Sequence, residues 1–109
     1  MEQHFTKKDW KLYQEKLPEW QETHMGRLCK EYVELLSGEG EASERFWNLD
    51  KRIKEDKRHT GVRCTLERSE VIAQISELLH DKTINMDDLA EFSDELREAV
   101  EEYRRFWEI

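Results

Sequence analysis

The last 23 residues constrain this chain more than any other stretch. From Asp87 to Ile109 it carries nine carboxylates against three arginines, a net charge of −6 out of −8 for the whole sequence. Within it Leu89, Phe92, Leu96, Ala99, Tyr103 and Phe106 recur at intervals of 3, 4, 3, 4 and 3. That spacing sets them on one stripe of an α-helix. The start is also marked. Asn85 with Asp88 reads as a capping box, Ile84 and Leu89 as a hydrophobic staple, and Asp87 and Asp88 complement the helix dipole. The pattern predicts one long acidic helix from Asp87 to Ile109. One face must be buried, and the other presents a wall of negative charge.

The rest of the chain reads as helices that could receive the stripe. One proline and four glycines in 109 residues favour long helices in a single domain spanning residues 1–109. Thr6 and Asp9 form a capping-box pair that opens a first helix carrying Trp10, Tyr13 and Leu17. Pro18 is expected to stop that helix and to sit in the first turn of a second, from Pro18 to Ser37. Gly38 would cap its end. Trp20, Leu28, Tyr32, Leu35 and Leu36 would face inward, and Gly26 would mark a close crossing or a bend. Ser43 is expected to cap a third helix that buries Phe46, Leu49 and Ile53. Gly61 would end the basic region after it. Val62, Cys64 and Leu66 read as a short extended piece or as the lead-in to a fourth helix. That helix carries Val71, Ile72, Ile75, Leu78 and Leu79. Trp10, Trp20 and Trp47 are assigned to the core, while Trp107 either caps the core or anchors a partner. The fold class predicted is all-α, a compact bundle of four or five helices, with the last packed on the second and fourth. The tripeptide Arg-Phe-Trp occurs at 45–47 and 105–107, too short a match to read as a repeat.

Charge and apolar patterning exclude several function classes. With 26 acidic against 18 basic side chains, the chain is a poor ligand for nucleic-acid phosphates and for anionic membranes. No apolar run approaches the ~18 residues of a membrane span. The opening MEQHFTKKDW lacks the apolar core of a secretory signal, so a cytoplasmic protein is expected. Cys29 and Cys64 have no CxxC spacing and are expected as free thiols.

The motifs of chemistry are weak. Asp81, Thr83, Asn85 and Asp87 alternate like calcium ligands, but the required glycine is Met86 and the required glutamate is Phe92. His4, His24, His59 and His80 are scattered, and HExxH is missing. No cofactor, metal or catalytic residue is predicted, and the protein is not expected to be an enzyme. The basic stretch from Lys51 to Arg58 is expected to be solvated, or paired with Glu55, Asp56 and the last helix. A helix-turn-helix reading conflicts with the net charge.

The acidic face is the remaining candidate site. Asp87, Glu91, Asp94, Glu95, Glu98, Glu101 and Glu102 project away from the stripe, with carboxylates one turn apart about 5–6 Å from each other. That is close to the spacing of phosphates along one nucleic-acid strand. Two readings stay open: a solvated face, or a surface that docks a basic nucleic-acid-binding protein, with Trp107 as anchor. A homodimer through the stripe is the rival class.

The order of several short motifs also resembles a known family. These are Phe5-Thr-Lys-Lys-Asp-Trp10, Leu17-Pro-Glu-Trp20, Glu31-Tyr, Leu35-Leu-Ser-Gly38, Ser43 with Phe46-Trp47, Gly61-Val-Arg63, and Met86-Asp-Asp-Leu89 through Phe92-Ser-Asp-Glu-Leu96. The family consists of short, uncharacterised, acidic helical proteins of Gram-positive bacteria and their mobile elements. Some members carry a transporter label, against which the lack of a membrane-length apolar run argues. The resemblance implies no known chemistry. A mobile-element setting is compatible with an inhibitor of host defence of the anti-CRISPR kind, a step of analogy.

Overall fold

Thr6 opens the first helix as expected. Its hydroxyl accepts from the Asp9 N–H, and the Asp9 carboxylate accepts from the Thr6 N–H, 3.0 and 2.9 Å. The computed structural model describes residues 4–109, and the helix that starts here, α1, runs Lys7–Ser37 without interruption. The break expected at Pro18 does not occur. An interior proline costs about 3 kcal/mol and removes one hydrogen bond. Here Gln14 and Pro18 are both exposed, so water can reach the carbonyl that loses its partner. Tyr13 and Leu17 before the proline, and Leu28 after it, are buried along one continuous stripe, which offsets the loss. Gly26 serves no close crossing, because a Cβ there would meet nothing within 4 Å.

Helix α2, Ala42–Asp56, folds back on the second half of α1. Glu41 precedes it, with no side-chain cap, and Ser43 lies inside the first turn. The pair forms an arm with modest burial. Tyr32, Leu35, Leu49 and Ile53 are half-buried, while Phe46 and Trp47, expected in the core, are 61% and 64% exposed. The arm is pinned instead by a polar network around buried Asp56. Tyr32 donates to it at 2.5 Å and Arg52 Nε at 3.0 Å, and Arg52 also reaches Glu31 at 3.0 Å. Burial and Asp56 push the Tyr32 hydroxyl up to about 12, so it stays a donor.

Gly61 does not end the basic region. It lies buried inside a short helix α3, Thr60–Arg63. Residues 64–67 are extended, and Gln74 takes the place of a strand neighbour: Thr65 N–H donates to its Oε1 and its Nε2 donates to the Thr65 carbonyl. A 3₁₀ turn at Arg68–Glu70 leads into α4, Val71–His80. Among the described residues there are five α-helices and no strand, and no helix is long and apolar enough to cross a membrane.

The last helix begins later than its local signals predict. The Asn85 and Asp88 capping box forms, but it closes only a 3₁₀ turn, Met86–Leu89. The chain then turns again, and α5 runs Asp94–Trp107 from a second cap, Ser93. The reason is tertiary. Ser93 donates its N–H and its hydroxyl to Asp9, 2.9 and 2.6 Å, across 84 residues of sequence. Leu89 and Phe92 are still buried, but not on the helix that buries Leu96, Ala99 and Val100. One core unites Tyr13 and Leu17 of α1, Val71, Ile75 and Leu78 of α4, and Leu89, Leu96 and Val100. The extents of 54 × 26 × 22 Å follow from the length of α1 and the arm it builds with α2.

Candidate partner-binding surface

Helix α5 packs chiefly on α4. Its placement depends on Asp9, only 3% exposed, which accepts from Thr6 and twice from Ser93. Burial pushes the Asp9 carboxyl up. The hydrogen bonds from Ser93 and Thr6 outweigh burial and hold it below its ordinary value of 3.8. Ser93 in turn accepts from the Leu96 N–H at 3.1 Å. Three residues from distant parts of the chain thereby fix where the acidic helix starts and which face it turns outward.

That face gathers five of the predicted acids and leaves two aside. Asp94, Glu95, Glu98, Glu101 and Glu102 share the side of α5 opposite Leu96, Ala99 and Val100, and all five are exposed. Asp94 is engaged with Arg97 in an ion pair along the helix. Glu95, Glu98, Glu101 and Glu102 form no ion pair among the described residues. Asp87 and Glu91 lie in the turns before α5, and Glu91 faces Lys16 of α1 at 3.9 Å. The long helix predicted from Asp87 would have aligned all seven; the Ser93 cap separates them.

The end of α5 departs from the predicted stripe. Phe106, expected on the buried stripe, is 77% exposed, and Val100, left off it, is fully buried. Trp107 is 58% exposed. Its ring lies 5.1 Å from Phe106 at 80° and 6.1 Å from Tyr103. Arg104 holds the turn closed by donating to the Ile109 carbonyl at 2.9 and 3.2 Å. Phe106 thus stands in solvent beside Glu102, while Trp107, seven residues after Val100, lies on the α4 side of the helix and lines a cleft with Thr60, Glu77, His80 and Asp81. Counting the helical register from Ser93, followed by Asp94 and Glu95, would have revealed it, since that register sets Val100 inward and Phe106 at the edge.

The clefts suit no obvious chemistry. One cleft of about 580 Å³ lies between α1, the 82–88 segment and α5, with Trp20, Arg27, Lys82 and Arg104 on its walls. Arg27 donates there to the Thr83 carbonyl. Cys29 and Cys64 are free thiols, as expected. Burial and then Glu77 push the Cys64 thiol up to about 12, so it is protonated at neutral pH. Among the described residues, no group of three or more His, Cys, Asp or Glu is arranged to hold a metal ion. Compared with known proteins, the chain matches no family model, no curated protein and no solved structure.

Proposed function

We propose that this protein is a non-enzymatic, cytoplasmic regulator or inhibitor that docks the outer face of α5 onto a basic surface of another protein. The reading rests on the contiguity of Glu95, Glu98, Glu101 and Glu102 along α5, with exposed Phe106 at the edge of that face and exposed Trp107 next to it at the helix tip. Carboxylates that form no ion pair among the described residues supply steering and complementarity to Lys and Arg, and the aromatic tip supplies the apolar anchor that interface hot spots use. Carboxylates about 5–6 Å apart along a helix match the charge pattern of a nucleic-acid strand. The partner class that fits is a basic nucleic-acid-binding protein whose groove the helix enters in place of nucleic acid. Nucleic acid itself is not a ligand on this reading, because like charges repel. The resemblance to proteins of mobile elements favours a host-defence nuclease as the target.

The test is a tagged pull-down from nuclease-treated host lysate. Wild type runs beside a variant carrying Glu95→Lys, Glu98→Lys, Glu101→Lys and Glu102→Lys. All four positions are exposed, so helix content measured by circular dichroism should be unchanged. Capture of a basic nucleic-acid-binding protein by wild type alone supports the reading. Identical partners on both proteins refute it.

A further inference from the structure

Four aromatic rings of this chain stand on its surface in two matching pairs. Phe46 and Trp47 on α2 have centroids 5.0 Å apart at 85°, and Phe106 and Trp107 on α5 have centroids 5.1 Å apart at 80°. Each pair terminates a stripe of charge, and the two stripes are opposite in sign. On α2, Trp47, Lys51, Lys54 and Arg58 recur at intervals of 4, 3 and 4, with Arg58 just past the helix end. On α5, Glu95, Glu98, Glu102 and Phe106 recur at 3, 4 and 4. All eight residues are exposed. Among the described residues Lys51 and Arg58 form no ion pair, Lys54 pairs with Asp50 on its own helix, and no ion pair joins the two stripes. Within one molecule α2 packs on α1 and α5 on α4, so both outer faces are left to solvent.

The two stripes run in opposite orders. Helix α2 carries its aromatic pair toward its N-terminal end, and α5 carries its pair at its C-terminal end. Laid antiparallel, Trp47 meets Phe106, Lys51 meets Glu102, Lys54 meets Glu98 and Arg58 meets Glu95, in register to within one residue. A parallel pairing would set the aromatics of each helix against the charges of the other. We infer that the outer face of α2 docks on the outer face of α5 of a second copy of this chain. Each molecule offers both faces, so the contact is head-to-tail.

The size of the contact sets its strength. Trp47 and Phe106, the rings that stand in the two stripes at 64% and 77% exposure, would remove about 300 Å² from water, and the stems of the Lys, Arg and Glu side chains add to that. The total falls below the ~1,200 Å² of a stable interface. Association should therefore be weak, and sensitive to salt because its charges lie at the rim. The inference goes beyond the partner reading above, since it needs no foreign protein. It also implies competition, because a basic partner and the α2 of a second copy would contend for the same face of α5.

The experiment is sedimentation velocity with light scattering on the purified chain, from low to high micromolar concentration. In low salt the wild-type mass should rise from 13.3 kDa toward at least twice that value. In about 1 M salt, where the Debye length is ~3 Å, the rise should shift to higher concentration. A variant with Lys51→Glu, Lys54→Glu and Arg58→Glu should stay monomeric, as should one with Glu95→Lys, Glu98→Lys and Glu102→Lys. An equimolar mixture of the two should associate again, because each reversed face then meets its complement. Circular dichroism checks that both variants keep their helix content. A monomeric wild type throughout, reversed variants that associate like wild type, or a mixture that stays monomeric would each overturn the inference. None of these results depends on a foreign partner, so the pull-down and this experiment can fail independently.

Discussion

Replacing Asp9 by alanine should destabilise this protein more than replacing any exposed acid. The carboxylate accepts three hydrogen bonds, from Thr6 N–H, Ser93 N–H and the Ser93 hydroxyl. Losing the Thr6 half of the capping box costs about 1 kcal/mol. Losing the charge-assisted bonds to half-buried Ser93 costs about 2 kcal/mol. The sum, about 3 kcal/mol, is a large share of the ~5–15 kcal/mol of a domain this size and should lower Tm by about 10–20 °C. Asp88→Ala is the matched control. Its capping box has the same local form but is exposed and bonds only Asn85, so its loss should cost about 0.5–1 kcal/mol. Urea and thermal unfolding followed by circular dichroism at pH 7 would measure both. The pH dependence adds a sign. The folded pKa of Asp9 lies below 3.8, so its contribution is present above the unfolded value. It is lost as pH falls through 3.8 toward the folded value. The gap between wild type and Asp9→Asn should therefore close in acid. Equal, small effects of Asp9→Ala and Asp88→Ala at pH 7 would refute the coupling of α1 to α5.

The packing sets four further expectations. Pro18→Ala should raise stability by about 1–3 kcal/mol, since the helix is continuous there; a lower Tm would argue for a real break. Gly26→Ala should stabilise by up to about 1 kcal/mol. Gly61→Ala should destabilise by about 1–3 kcal/mol, because its Cβ would sit 2.7 Å from both His24 Cδ2 and Thr83 Oγ1; unfolding curves that rank the two glycine variants in the opposite order would contradict the packing of α3 on α1. Exposed Cys29 should react with iodoacetamide at pH 8 well before half-buried Cys64, whose thiol is pushed up to about 12; mass spectrometry of timed samples would read the order.

What the sequence could and could not reveal divides along the range of the interactions. Thr6 with Asp9 opens a helix wherever it occurs, and the 3- and 4-residue spacings of Val71 to Leu79 need no distant partner to be read. Asn85 with Asp88 is an equally good local signal. Yet it yields a single turn, because the chain must still bring Ser93 to a carboxylate 84 residues away. Pro18 misleads for a related reason: its local cost is offset by burial of Tyr13, Leu17 and Leu28 against residues far along the chain. The acidic face was legible as composition, but its geometry depends on the Ser93 start, which detaches Asp87 and Glu91 from the five acids of α5. The exposed aromatic pairs were hidden by the expectation that large apolar residues at helical spacing are core. They emerge when the helical register of α5 is counted from Ser93, and when α2 is seen to cover α1 with its other side.

The proposed partner site is the outer face of α5 with the aromatic tip next to it. The most direct measurement is calorimetric titration, at one fixed salt concentration, of the protein captured by wild type. It would be titrated with wild type, with the variant reversed at Glu95, Glu98, Glu101 and Glu102, and with Trp107→Ala. The reversed variant should bind with at least a 100-fold weaker Kd, about 2.7 kcal/mol, and Trp107→Ala with a Kd about tenfold weaker or more. Affinities of both variants within twofold of wild type, with helix content intact, would contradict it.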